Sequence, residues 1–128
     1  MNAVSPFTND RYDEERYTEA EGVELSQVHI SRTFTGDLQG TSTAELLIAK
    51  SEGGGGYVGH DLIRGTLDGR SGSFVFQHGG IMGTAGISNT GTIVPGSGME
   101  ELAGISGEGT MLADAEGNHT LTLDYEIS

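Results

Sequence analysis

A glycine-centred motif recurs three times in this chain, each time between two strand-like runs, and no other feature constrains the fold as much. Leu38-Gln39-Gly40-Thr41-Ser42 is echoed by Leu67-Asp68-Gly69-Arg70-Ser71-Gly72 and again by Leu102-Ala103-Gly104-Ile105-Ser106-Gly107. Tight hairpin turns need a residue with φ > 0, which only glycine adopts without steric strain. Each interval between copies has room for one hairpin and a connection, and little room for a helix. The pattern predicts an all-β fold: one closed antiparallel barrel of about eight strands, in up-and-down order.

Strand faces follow from period-two alternation. Leu121, Leu123, Tyr125 and Ile127 point one way, Thr120, Thr122, Asp124 and Glu126 the other. Val28, Ile30 and Phe34 share a face with Arg32. Leu46-Leu47-Ile48-Ala49 and Phe74-Val75-Phe76 put apolar groups on both faces. Strands apolar on both sides suggest that one face lines the lumen and the other meets a second subunit. A homo-oligomer, most simply a dimer, is expected. Residues 1–22 are polar and acidic, and are expected to form a solvated arm with room for one edge strand near Pro6–Thr8. The barrel domain is expected over 23–128.

Composition narrows the partners. Of 128 residues, 22 are glycine, and these rather than charge dilute the apolar fraction to 34%. Nineteen acidic against six basic residues give a formal charge of −13, which argues against nucleic acid and against anionic membrane surfaces. No cysteine is present, so disulfides, thiolate nucleophiles and cysteine-based metal sites are excluded. The first ten residues lack the basic start and apolar run of a signal peptide, and the longest apolar run, Leu46 to Ala49, is too short to span a bilayer. A cytoplasmic location is expected.

Three blocks carry a resemblance. Phe34-Thr35-Gly36-Asp37-Leu38-Gln39-Gly40-Thr41-Ser42-Thr43-Ala44-Glu45 is the first. Gly65-Thr66-Leu67-Asp68-Gly69-Arg70-Ser71-Gly72-Ser73-Phe74-Val75 with Gln77-His78 is the second, and Val94-Pro95-Gly96-Ser97-Gly98 with Leu102-Ala103-Gly104 the third. In this order they resemble a bacterial family of small proteins of unknown function, assigned to the allene-oxide-cyclase-like barrels. The chain departs from the family pattern at Tyr12, His60, Asp61 and Leu62. The resemblance implies a barrel shaped like allene oxide cyclase and dirigent proteins. Those relatives steer cyclisation or coupling of small apolar molecules in a cavity without a metal or organic cofactor.

Standard motifs do not fit. Gly54-Gly55-Gly56-Tyr57-Val58-Gly59 matches the dinucleotide glycine pattern, but strand-like residues follow it, so no helix N-terminus is there to receive a pyrophosphate. The serines at Ser71, Ser97 and Ser106 lack nucleophile-elbow spacing, and His29, His60, His78 and His119 show no ligand spacing. No metal and no cofactor are expected.

The candidate chemistry is therefore a few polar groups within apolar strands. Glu45 precedes the most apolar run; facing a closed lumen it would be costly to ionise, so a raised pKa and an acid/base role are expected. Asp61 shares a face with Tyr57, Gly59 and Ile63, and inside the lumen it could share a proton with Glu45. Gln77 and His78 lie on opposite faces at the end of the run containing Phe76, and His78 is the expected proton-transfer partner if it points inward. Glu45, Asp61 and His78 are thus the catalytic candidates, with Arg32, Tyr57, Phe76, Gln77 and Tyr125 as substrate contacts. Three classes of function compete. One is a cofactor-free isomerase or cyclase acting on a small apolar molecule; another is a non-catalytic binding protein for such a molecule. The last is an oligomeric structural barrel whose lumen is filled by side chains.

Overall fold

The computed structural model describes residues 1–83 and 86–128, which form a single sheet of nine strands. In chain order these are β1 (Asn2–Ala20), β2 (Val23–Phe34), β3 (Leu38–Ser51), β4 (Gly54–Leu67), β5 (Arg70–Gly83), β6 (Gly86–Ile93), β7 (Met99–Glu100), β8 (Ile105–Ala113) and β9 (His119–Ile127). All pairings are antiparallel, and β4 pairs with β5 as well as with β3. Eight strands therefore join edge to edge in a ring, β4-β3-β2-β1-β9-β8-β6-β5 and back to β4. The short β7 lies outside the ring, on the β5 residues Gly72 and Ser73. Closure leaves no free edge in the ring where the ladders are complete, the usual reason such sheets resist edge-to-edge aggregation.

Residues 2–20 are not a solvated arm. They form β1, which joins β2 on one side and β9 on the other. Its first half alternates buried and exposed, placing Ala3, Ser5 and Phe7 in the interior. Its second half stays exposed, because the pairing with β9 stops at Phe7 opposite His119, the first residue of β9, and the acidic stretch continues with only β2 beside it. Charge there marks a strand with water on it, not the absence of a strand.

Two of the three glycine motifs are turns. Asp68 and Gly69 take φ of 52° and 81° between β4 and β5, and Gly104 takes 86° before β8. In the first motif the turn comes earlier, at Gly36 with φ 86°, and Gly40 lies inside β3. A Cβ there would come within 2.2 Å of the Arg64 carbonyl oxygen on β4, so this glycine serves close strand approach.

Strand glycines also shape the core. Phe76 covers Gly91, Leu46 covers Gly59 and Leu123 covers Gly109, each apolar side chain occupying the space a neighbouring Cβ would have taken. The main cluster contains Phe7, Phe34, Phe74, Phe76 and Tyr125 with aliphatic residues from most of the ring. A second, smaller cluster is formed by Val28, Ile30, Ala44 and Leu46, with Ile48 and Tyr57 against it. At the level of Asp61 and Phe76, both 0% exposed, the interior is closed to solvent.

Gly91→Ala is expected to destabilise the fold by about 1–3 kcal/mol, since its Cβ would stand 2.2 Å from the Phe76 ring. Gly53→Ala, which meets nothing within 4 Å, is the control and should change the urea midpoint little. Equal midpoints for the two variants would overturn this account of the core.

Candidate functional site

The strand register sorts the polar candidates into two groups, one inside the ring and one on its outer wall. Inside, β2, β3, β4 and β5 bring Arg32, Ser42, Asp61 and His78 together, all buried. The Asp61 carboxylate accepts from Arg32 Nε at 2.8 Å, Arg32 Nη2 at 3.4 Å, Ser42 Oγ at 2.7 Å and His78 Nε2 at 2.6 Å. Arg32 also donates to Asn9 Oδ1 at 2.8 Å and lies 5.2 Å from the centroid of the Phe7 ring. Burial pushes the Asp61 carboxyl upward. The His78 hydrogen bond, the Arg32 charge and the Ser42 hydroxyl together outweigh it and hold the pKa below the ordinary aspartate value.

An ionised Asp61 fixes the protons around it. His78 Nε2 donates to it, and His78 Nδ1 is hydrogen-bonded to the Tyr57 hydroxyl at 2.9 Å. Tyr57 Oη accepts in turn from Asn89 Nδ2 at 2.5 Å, and Asn89 Oδ1 accepts the Met111 backbone N–H at 3.2 Å. Burial raises the Tyr57 pKa, against the Asn89 hydrogen bond and the Arg32 charge. The chain Asp61–His78–Tyr57–Asn89 links β4, β5, β6 and β8 with a partner at each step. Phe76 stacks on His78 with ring centroids 5.4 Å apart.

Glu45 is not in the lumen. Ala44 is the residue that faces Asp61 across β3 and β4, and the two-residue alternation turns Glu45 outward, opposite His60. Its carboxylate is about half exposed and accepts from His29 Nδ1 and from Gln27 Nε2 at 3.4 Å. The His29 hydrogen bond lowers its pKa, against a smaller effect of burial, so the expected raised value and the shared proton with Asp61 do not arise. Arg32, a conceivable partner for Glu45, pairs with Asp61 instead. Gln77 is also outward, and its Oε1 meets His60 Nε2 at 3.0 Å. Tyr125 is buried in the main cluster, with its hydroxyl 3.5 Å from Asp68, away from the Tyr57 network.

Glu45 and Gln77 nevertheless belong to one site. Cross-strand pairing aligns His29, Glu45, His60, Gln77 and Thr92 in a single row over β2–β6. The next outward row, two residues further along each strand, is Gln27, Leu47, Val58, Gly79 and Thr90. Between these rows lies a groove of about 640 Å³, within the size range of small-molecule sites. Gly79 presents no side chain to the wall, which deepens it there. Leu47 and Val58 supply an apolar side, 49% and 60% exposed. Among the described residues, no three His, Asp or Glu side chains are placed to hold a metal ion.

Sequence reasoning missed Asn9, Ser42 and Asn89, and the role of His29 and His60. The parity of each residue within its strand was readable, but which residues stand opposite one another was not.

The chain belongs to DUF3224, a family of proteins of unknown function, whose pattern matches residues 3–125. A crystal structure of a DUF3224 protein of unknown function from Shewanella oneidensis MR-1 superposes with a TM-score of 0.91 at 31% identity, covering 100% of this chain and 97% of the other. No curated protein matches.

Two carboxylate substitutions should separate the inner group from the outer. Asp61→Asn leaves the buried Arg32 without its counter-charge and is expected to cost about 3–5 kcal/mol in chemical denaturation. Glu45→Gln on the wet wall should stay within about 0.5 kcal/mol of wild type. The sign with pH follows from the lowered Asp61 pKa: its contribution is complete above the unfolded value of about 3.9 and is lost as pH falls through the lower folded value. Equal costs for the two variants would contradict the assignment.

Proposed function

We propose that this DUF3224 protein binds a small molecule in the outer-wall groove over β2–β6. The observation that carries the reading is the groove itself: a polar row beside exposed Leu47 and Val58, on a wall recessed at Gly79. Binding pockets combine apolar walls with a few placed polar groups in this way. The ring of eight strands fits the allene-oxide-cyclase-like barrel that the sequence resemblance implies. The lumen use seen in those relatives is a poor guide here, because Asp61 and Phe76 are sealed and every Asp61 hydrogen bond is internal. The inner network is better read as structural.

A cofactor-free isomerase would find its base at the groove. The His29 hydrogen bond holds the Glu45 carboxyl below its ordinary pKa, which keeps it ionised and available as a base. Simple binding asks for less, since among the described residues the Glu45 carboxylate is hydrogen-bonded only to Gln27 and His29. The same wall is where the expected dimer would form, and dimerisation over Leu47 and Val58 would close the groove.

Titration with a neutral solvatochromic dye such as Nile red, paired with light scattering, tests the reading. A monomer that binds the dye saturably, and about tenfold more weakly in Val58→Asp at unchanged thermal stability, is the expected result. Absence of saturable binding, or identical binding by Val58→Asp, would overturn it. A dimer that dissociates in Val58→Asp would assign the wall to self-association.

A further inference from the structure

The groove does not stop at its second row. A third outward row, two residues further along the strands, consists of Leu25, Ala49, Gly56, Ile81 and Ser88. Leu25, Ala49 and Ile81 there border a second recess of about 280 Å³ together with Tyr17 of β1. Leu47 and Val58 line both recesses, so the two adjoin across the middle row. Ile81 is 64% exposed and Tyr17 53% exposed, so no described residue closes over this end.

The three rows form a gradient across one face. The first row is polar, with Glu45 as its charged group; the middle is apolar at Leu47 and Val58; the third is apolar at Leu25, Ala49 and Ile81. Same-face residues repeat every two positions, so the first and third rows lie about 13 Å apart at roughly 3.3 Å per residue, the reach of an extended chain of about ten carbons. Among the described residues, no Lys or Arg lines either recess. An anionic head group would meet Glu45 with no Lys or Arg beside it to offset the charge, whereas a cationic one would find its counter-charge.

We propose, resting on the groove reading above, that the ligand is a cationic amphiphile: an ammonium head at Glu45 and an alkyl tail laid over Leu47 and Val58 towards Ile81 and Tyr17. Charge complementarity selects the head. Glu45 keeps acceptor capacity beyond the bonds from His29 and Gln27, since a carboxylate offers about four lone-pair positions. Exposed apolar side chains of the middle and third rows bind the tail, and Gln27 and His60 flank Glu45 at the head.

Calorimetric titration of the full chain with decylammonium, decanol and decanoate, each below its micellar concentration, tests head and tail together. Decylammonium is expected to saturate one site and bind about fivefold tighter than decanol, with decanoate weakest. Glu45→Gln should bring decylammonium to within about twofold of decanol and leave decanol unchanged. Ile81→Asp should weaken decanol by about tenfold while the protein keeps its thermal midpoint.

The overall charge of −13 attracts any cation, and Glu45→Gln removes one charge of that total. An amine preference that survives Glu45→Gln would therefore be non-specific and would overturn the proposal. Equal binding of decanol and decylammonium to wild type would also overturn it, while leaving the groove as a binding site. If none of the three ligands saturates, the groove reading falls with it.

Discussion

Four hydrogen bonds converge on Asp61 in the sealed interior, and the arrangement of the ring depends on them. The carboxylate sits on β4, Arg32 on β2, Ser42 on β3 and His78 on β5, so one charge ties four adjacent strands in fixed register. Asn9 extends the hold to β1, and Tyr57 with Asn89 carries it across to β6 and β8. Slipping any of these strands by one residue would turn its polar group to the other face and leave the rest unpaired in a dry environment. Apolar alternation also opposes a one-residue slip, but it tolerates a slip of two residues, which the polar contacts do not. The ion pair adds specificity more surely than it adds stability, because taking both charges out of water costs much of what their attraction returns.

Around that pair, glycine lets a chain with few large apolar residues fill its core. Phe76 over Gly91 and Leu46 over Gly59 each use the space of two positions. A ring of eight strands has an interior that side chains can fill, and this one is filled at the level of the ion pair. Nearby, the Phe7 and Phe34 rings lie with centroids 5.3 Å apart, and Arg32 lies over Phe7. The charged group is thereby covered by aromatic surface rather than by water.

Much of this was legible in the sequence, and the limit was geometric. Alternation gave the inward set of β2, including Arg32 beside Val28, Ile30 and Phe34, and the inward set of β9. It grouped Asp61 with Tyr57 and Ile63, as found. It did not settle β3, where Leu46-Leu47-Ile48-Ala49 is apolar throughout and the parity of Glu45 is ambiguous. Only the pairing of Ala44 with Asp61 resolves it. Likewise the acidic texture of residues 10–20 concealed a strand, because its side chains meet water on a sheet extension where alternation has no core to report. Asn89 lies among Thr, Ser and Gly residues, and no local pattern marks it as the link between Tyr57 and β8.

The inner and outer groups are therefore two consequences of one register. With Asp61 held inward, His60 and Leu62 must face out; with Ala44 opposite Asp61, Glu45 must face out beside His60. His78 inward places Gln77 outward, opposite His60. The row His29, Glu45, His60, Gln77, Thr92 is the outer counterpart of the buried network, displaced by one residue on β4 and β5 and by three on β2, β3 and β6. A polar row on a curved sheet needs such a fixed backing, since hydrogen-bonding groups recognise a ligand only when their spacing does not drift. The sealed ion pair supplies that backing. It determines which residues of the proposed site face the solvent.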